Sequence, residues 1–212
     1  FDGLFIVWDV QNFDTIYAKK IQTNIAQLKN MPVISAMTMI DMKPSQSPKY
    51  NMYTIGISFG FNLYSWTLVY SIKHMDYILI NDIKFKYPSN KTFNRNLTCL
   101  STLFNTKTKE NNNSTIIATT DIGEIFLFNI NNNTFYGAFQ ACSQGGNVCL
   151  LYDNNTIFVG GGDSKLYKYG YSNHKNSWDM YTKIGLDSPI KSIVLNNNSN
   201  DSLIVTTLNC SV

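Results

Sequence analysis

The reading of the chain turns on four apolar runs that follow one another: Asn96-Leu-Thr-Cys-Leu-Ser-Thr-Leu-Phe104, Ser114-Thr-Ile-Ile-Ala-Thr-Thr120, Ile125-Phe-Leu-Phe-Asn129 and Thr134-Phe-Tyr-Gly-Ala-Phe139. β-branched and aromatic residues fill them, which suits a pleated, half-buried backbone. Breakers stand between them: Asn111-Asn-Asn113, the turn Asp121-Ile-Gly-Glu124, and Asn131-Asn-Asn133. Asn and Asp bond their own neighbouring backbone, and Gly enters conformations closed to other residues, so these are turn chemistry. Four short strands joined by turns are expected.

The order then repeats. Gly146-Asn-Val-Cys-Leu-Leu151 and Thr156-Ile-Phe-Val-Gly160 lead to the turn Gly161-Gly-Asp-Ser164, then to Lys165-Leu-Tyr-Lys-Tyr169 and Trp178 to Ile184. A third copy starts with Pro189 to Leu195 and Ser202 to Thr207. Upstream, Val33 to Ile40, Met52 to Ser58 and Asn62 to Trp66, with a turn at Phe59-Gly60, read as three strands of a looser copy. Its fourth lies within Val69 to Ile80, and the tail to Tyr87 is an added strand or an irregular insertion. Leu4 to Asp9 reads as a third strand and Thr15 to Ile21 as its fourth.

A period of about 40 to 60 residues with four strands per unit is that of propeller blades. A blade buries both faces against its neighbours, which accounts for runs apolar on both sides such as Ile125-Phe-Leu-Phe128. The expected fold is therefore all-β, a β-propeller of four-stranded antiparallel blades. The units are 1–22 (the end of a blade), 33–87 (a degenerate blade with insertions), 94–140 and 146–185 (blades), and 189–212 (the start of a blade). Opening at a third strand and closing at a second predicts a segment of a larger ring, of about seven blades. Paired ends would instead complete one blade in a ring of four. Helical spacing is absent apart from a turn or two at Gln22 to Lys29.

Composition narrows the function classes. The 212 residues carry 17 basic and 14 acidic side chains, a net charge of +3, with no Lys/Arg run. That argues against a nucleic-acid partner. No signal-peptide pattern opens the chain, and no apolar run reaches the roughly 18 residues that span a membrane, so a cytoplasmic location without a membrane partner is expected. Charged residues are only 15%. Asn, about one residue in eight, supplies the missing polarity and explains Asn-x-Ser/Thr triplets such as Asn96-Leu-Thr98 by chance. Cys99, Cys142, Cys149 and Cys210 form no CxxC pair and match no zinc spacing. They read as small buried thiols in a reducing compartment, with a disulfide between any two left open.

The sequence offers little reaction chemistry. His74 and His174 stand far apart, outside any cluster of metal-ligand spacing, and read as surface residues. Gly160-Gly-Gly-Asp163 lacks the Gly-Lys-Ser/Thr ending of a phosphate loop. It reads as a tight turn whose positive-φ positions need Gly, as does Gln144-Gly145-Gly146. No Gly-x-Ser-x-Gly elbow occurs. Asp121 and Asp163 occupy equivalent turns, where each is expected to accept backbone N–H bonds within the turn. The blade-turn positions singled out are Asp2, Gly3, Asp121, Gly123, Gly162 and Asp163, all structural. No catalytic residue, metal, cofactor or small-molecule substrate is expected. Among the aromatics, Tyr50, Tyr53 and Trp178 are candidate partner anchors.

The turn–strand pieces resemble WD40 repeats. Asp2-Gly-Leu-Phe-Ile-Val-Trp-Asp9 is similar to the third strand of such a blade, with its terminal Trp-Asp; Asp121 to Phe128 and Gly162 to Tyr169 take the same place without Trp-Asp. No Gly-His dipeptide precedes a blade, and Phe59-Gly60 lacks the turn Asp. From Asn94 to Val205, the order Leu-Thr-Cys, Ile-Ala-Thr-Thr-Asp-Ile-Gly-Glu-Ile, Ala141-Cys-Ser-Gln-Gly-Gly, Thr156-Ile-Phe-Val-Gly-Gly-Gly-Asp-Ser-Lys-Leu and Pro189-Ile-Lys-Ser-Ile resembles the cilia- and flagella-associated WD-repeat family of axonemal doublet microtubules. That resemblance implies a microtubule inner protein, with tubulin and other axonemal proteins as partners, in the cytoskeleton of a cilium or flagellum. A WD40 adaptor in another cytoplasmic complex is the alternative. An enzyme would need convergent acids, histidines or ligands around a channel, which the sequence does not offer in series.

Overall fold

Each apolar run becomes a strand, and consecutive strands pair antiparallel in sequence order. The computed structural model describes residues 4–8, 15–20, 34–43, 51–88, 95–102, 115–153, 155–196 and 202–209. Among the described residues there are sixteen strands and no helix. The strands β1 (Leu4–Trp8) and β2 (Thr15–Lys20) form a hairpin. Three meanders of four strands follow: β3 (Ile34–Lys43), β4 (Met52–Phe59), β5 (Asn62–Ser71) and β6 (Asp76–Lys84); β7 (Leu97–Thr102), β8 (Thr115–Thr120), β9 (Glu124–Asn129) and β10 (Thr134–Gln140); β11 (Gly146–Asp153), β12 (Thr156–Gly161), β13 (Lys165–Ser172) and β14 (Ser177–Gly185). A second hairpin, β15 (Ile190–Leu195) with β16 (Leu203–Thr207), ends the series. We call these five sheets blades one to five. The segments Asp2-Gly3, Gln22 to Lys29, Tyr50 and Cys210 lie outside the described residues.

The blades stack around their first strands. β3, β7, β11 and β15 lie side by side from one blade to the next. The last strands are the outer ones, and β14 is exposed from Met180 to Gly185. Middle strands are buried on both faces because a strand sends alternate side chains to opposite sides. On β8 and β9, Ile116, Phe126 and Phe128 pack toward blade two, with Leu63 and Phe85. Their neighbours Ile117, Ile125 and Leu127 pack toward blade four, with Leu151, Ile157 and Val159. The core is thus a series of interfaces between sheets, and each blade is held by the next.

Two readings of blade two are refined. The third strand runs on to Ser71 and the fourth begins only at Asp76. The intervening turn, Ile72-Lys-His-Met75, contains none of the usual turn formers; Met75 takes the left-handed conformation itself, at φ 54°. The tail to Tyr87 is an insertion and not a further strand of its own blade. Phe85 N–H still donates to Leu63 O at 2.9 Å. Lys86 then crosses to blade three: its N–H donates to Asn133 O at 2.8 Å, and its carbonyl accepts Phe135 N–H at 2.9 Å. Phe85 and Tyr87, on either side, both contact the ring of Phe128.

Candidate functional site

The turns between second and third strands meet the linkers between blades on one face. The linker 141–145 touches two turns. Ala141 and Cys142 N–H both donate to Gly123 O in blade three, at 2.9 and 3.0 Å. Gln144 O and Gly145 O both accept Gly162 N–H in blade four, each at 2.8 Å. The preceding linker repeats the pattern: Leu97 N–H donates to Gly60 O, and Asn96 O accepts Asp121 N–H. In the next, Leu186 N–H donates to Ser164 O. The linkers at 96–97 and 141–145 therefore each clasp the turn behind and the turn ahead, which ties neighbouring blades together.

This register corrects the reading of the turn residues. Thr119 pairs with Ile125, and Gly160 with Leu166, so Asp121 is matched by Gly162 and Gly123 by Ser164. The positive φ falls on Gly123 (87°) and Ser164 (62°), not on Gly162. Gly160 is required by close approach, since a Cβ there would lie 2.5 Å from Ile190 Cγ2, whereas one on Gly162 would make only a tight contact, 3.0 Å from Gln144 O. In Gln144-Gly145-Gly146, Gly145 has positive φ (42°), while a Cβ on Gly146 would lie 2.7 Å from Thr119 Cβ.

Asp121 and Asp163 are not equivalent either. Asp121 is exposed and joins the clasp through its backbone N–H. Asp163 Oδ2 accepts Ser143 Oγ–H and Tyr167 O–H, each at 2.6 Å, and Ser143 N–H at 3.3 Å. Its partners are thus the linker and β13, not its own turn. Burial pushes the carboxyl up, but the bonds from Ser143 and Tyr167 outweigh this and hold it below its ordinary value. Blade three solves the same problem with an ion pair, Arg95 Nε to Glu124 Oε2 at 2.7 Å. Asp163→Ala leaves three donors without their acceptor and should cost about 2–3 kcal/mol in denaturant unfolding. As pH falls, the unfolded chain takes up this proton before the folded one does. The Asp163 contribution is therefore complete above about pH 4 and is lost below it. The variant should flatten that acid limb of the stability curve.

A second feature lies on the outer side. Beyond Phe135 the edge of β10 is open, and a register shift leaves Tyr136 outside the ladder, 54% exposed. A groove of roughly 480 Å³ runs from here to the β13–β14 hairpin. Leu127, Phe139 and Trp178 give it apolar surface, and Asn155, Asn173 and Asn176 give it polar groups. Phe139 and Trp178 stack at 6.2 Å and 15°. Flat rings beside amides that both donate and accept suit a polypeptide segment. Of the three aromatics singled out as anchors, Trp178 is half-buried in this groove, Tyr53 is half-buried against Tyr77 away from it, and Tyr50 lies outside the described residues. Tyr136, which lines the groove, was not singled out, because nothing in its strand signals the register shift.

His74 and His174 are exposed in the β5–β6 and β13–β14 turns. No group of three or more His, Cys, Asp or Glu is gathered among the described residues. Cys142 and Cys149 are buried and Cys99 half-buried, all as free thiols.

No protein-family model and no curated protein matches the chain. Solved structures do. A chain of the mitotic checkpoint complex aligns with a TM-score of 0.55 at 12% identity, over 97% of this chain and 51% of that one. A chain of an active polycomb repressive complex 2 in the basal state aligns with a TM-score of 0.54 at 10% identity, over 83% of this chain and 38% of that one. The protein thus spans about half, or less, of the chains it is similar to. The shared architecture is the WD40-type propeller, and the chain has that fold.

Proposed function

We propose that the chain is a non-catalytic scaffold whose stacked blades hold surfaces for protein partners. The groove between β10 and the β13–β14 hairpin carries this reading: it sets an exposed Tyr136 and a half-buried Trp178 on rigid sheets, beside amides that match peptide backbone. Large aromatic side chains held in place at low entropic cost are the usual anchors of protein interfaces. Both structural neighbours belong by name to multiprotein complexes, which supports protein partners in general.

The narrower reading is a microtubule inner protein of the ciliary or flagellar axoneme, with tubulin and filament proteins as partners. It rests on the sequence resemblance from Asn94 to Val205. The alternative, an adaptor in another multiprotein complex, draws on the neighbours. One experiment separates them. Tagged protein in flagellated cells should label the axoneme and resist salt extraction; a diffuse, extractable signal removes the axonemal reading and leaves the adaptor. In the same cells, Tyr136→Ala should reduce partner capture by roughly tenfold, about 1.4 kcal/mol, with unchanged thermal unfolding. Equal capture of every partner by both proteins would sink the groove as the binding surface.

A further inference from the structure

We infer that Cys99 and Cys149 form a redox-active dithiol that cross-links the first strands of blades three and four when a hydroperoxide reaches it. The two residues lie on β7 and β11, strands that run side by side without sharing a ladder. Each thiol approaches the other residue's backbone: Cys99 Sγ is 3.8 Å from Cys149 O, and Cys149 Sγ is 3.9 Å from Cys99 O. Side-chain bonds pin the strands together on both sides of the pair. Thr98 Oγ1–H donates to Gly146 O, and Leu151 N–H donates to Ser101 Oγ at 3.0 Å. Each thiol is therefore held against the other's strand before any reaction.

The two thiols have different characters. Cys99 is half-buried, and a hydrogen bond from Cys149 outweighs burial to bring its thiol down to about 7. Cys149 is buried, and that burial keeps its thiol protonated. A low-pKa, reachable thiol beside a resolving one is the arrangement of redox-sensitive pairs. The Cys99 thiolate attacks the peroxide oxygen, breaking the O–O bond; the sulfur becomes a sulfenic acid and the released hydroxide takes up a proton to leave as water. Cys149 sulfur then attacks the sulfenic sulfur. Its proton leaves with the displaced hydroxyl as a second water, and the S–S bond forms. The two thiols lose two electrons in total, and hydrogen peroxide gains them.

Cys142 serves as the internal control. It is buried in the linker, 3.4 Å from Gly145 O, and burial followed by the Asp163 charge pushes its thiol up to about 12. The test treats the full chain with hydrogen peroxide, blocks remaining thiols under denaturing conditions and maps tryptic peptides. Cys99 falls in 96–107, while Cys142 and Cys149 share 110–165; a Cys142→Ser, Cys210→Ser background removes that ambiguity. The expected result is one linked pair of these peptides in most molecules, released by dithiothreitol, and the same loss of two hydrogens in the unsubstituted chain. In Cys149→Ser, Cys99 should stall as a sulfenic acid trapped by dimedone. Before oxidation, Cys99 should alkylate at least roughly tenfold faster than Cys142 at neutral pH. Separate blocking of Cys99 and Cys149 after peroxide, or sulfinic acid on Cys99 without a link, overturns the proposal.

Discussion

Truncating Phe128 to Ala should lower the unfolding free energy by about 3–5 kcal/mol, the usual range for deleting a buried aromatic ring. Phe128 is fully buried on β9. Its ring centroid lies 5.7 Å from those of Phe85, Tyr87 and Phe135, and 6.4 Å from that of Phe126. These partners come from three places: the inserted tail of blade two, β9 itself, and the outer strand β10. The cavity therefore opens where two blades and the crossover at Lys86 meet, and neighbouring strands cannot close it without breaking the Lys86 bonds to Asn133 and Phe135. A loss of this size is a large part of the 5–15 kcal/mol that stabilises a typical domain. Phe61→Ala supplies the control. Phe61 is 41% exposed in the β4–β5 turn, and its loss should stay within about 0.5 kcal/mol. Denaturant midpoints at unchanged slope measure both. If Phe128→Ala costs no more than Phe61→Ala, the interface between blades two and three does not hold the fold.

The blades were legible because each one carries its own signals. On β8, and on β9 from Ile125 on, every residue is apolar or a neutral polar one, and the breakers Asn111-Asn-Asn113 and Asn131-Asn-Asn133 stand clear of them. The strands at Thr115–Thr120 and Glu124–Asn129 fall within a residue of where the residues place them. Blade two resisted because its β5–β6 turn is made of Ile72, Lys73, His74 and Met75, residues that signal no turn; tertiary pairing of Tyr70 with Tyr77 imposes the bend. The tail at Phe85-Lys-Tyr87 has the alternation of a strand, but its partner is the start of β10 in the next sheet. No local pattern records a partner that distant in sequence.

The turns were recognisable as turns, while their internal register was not. Asp121 and Asp163 look alike in sequence, yet a one-residue offset leaves the first exposed and points the second at Ser143 and Tyr167. The groove was less visible still. Its parts, Tyr136, Trp178 and the hairpin amides, are about forty residues apart and meet only because blades three and four stack. The nearness of Cys99 and Cys149 has the same origin.

Replacing Gly123 by Ala should cost about 2–6 kcal/mol, from two terms that act together. At φ 87° an L side chain is strained, which costs on the order of 1–3 kcal/mol. The added Cβ would also sit 2.3 Å from Cys142 O and 2.9 Å from Cys142 Sγ, so the linker has to move, and overpacking of this kind costs about 1–3 kcal/mol. That movement pulls against the bonds from Ala141 and Cys142 N–H to Gly123 O. Three glycines separate the terms. Gly60 has φ 59° but its Cβ would meet only Asn96 Oδ1, at 3.3 Å; Gly60→Ala should show the backbone term alone, about 1 kcal/mol. Gly185 has open space and no positive φ, so Gly185→Ala should be neutral or slightly stabilising. Hydrogen exchange gives the site-specific readout: in Gly123→Ala the amides of Ala141 and Cys142 should lose protection, while those of β8 and β9 fall only with global stability. If the two linker amides keep their protection relative to the strands, the blades are not tied through this turn, and the role assigned to the linker clasp fails with it.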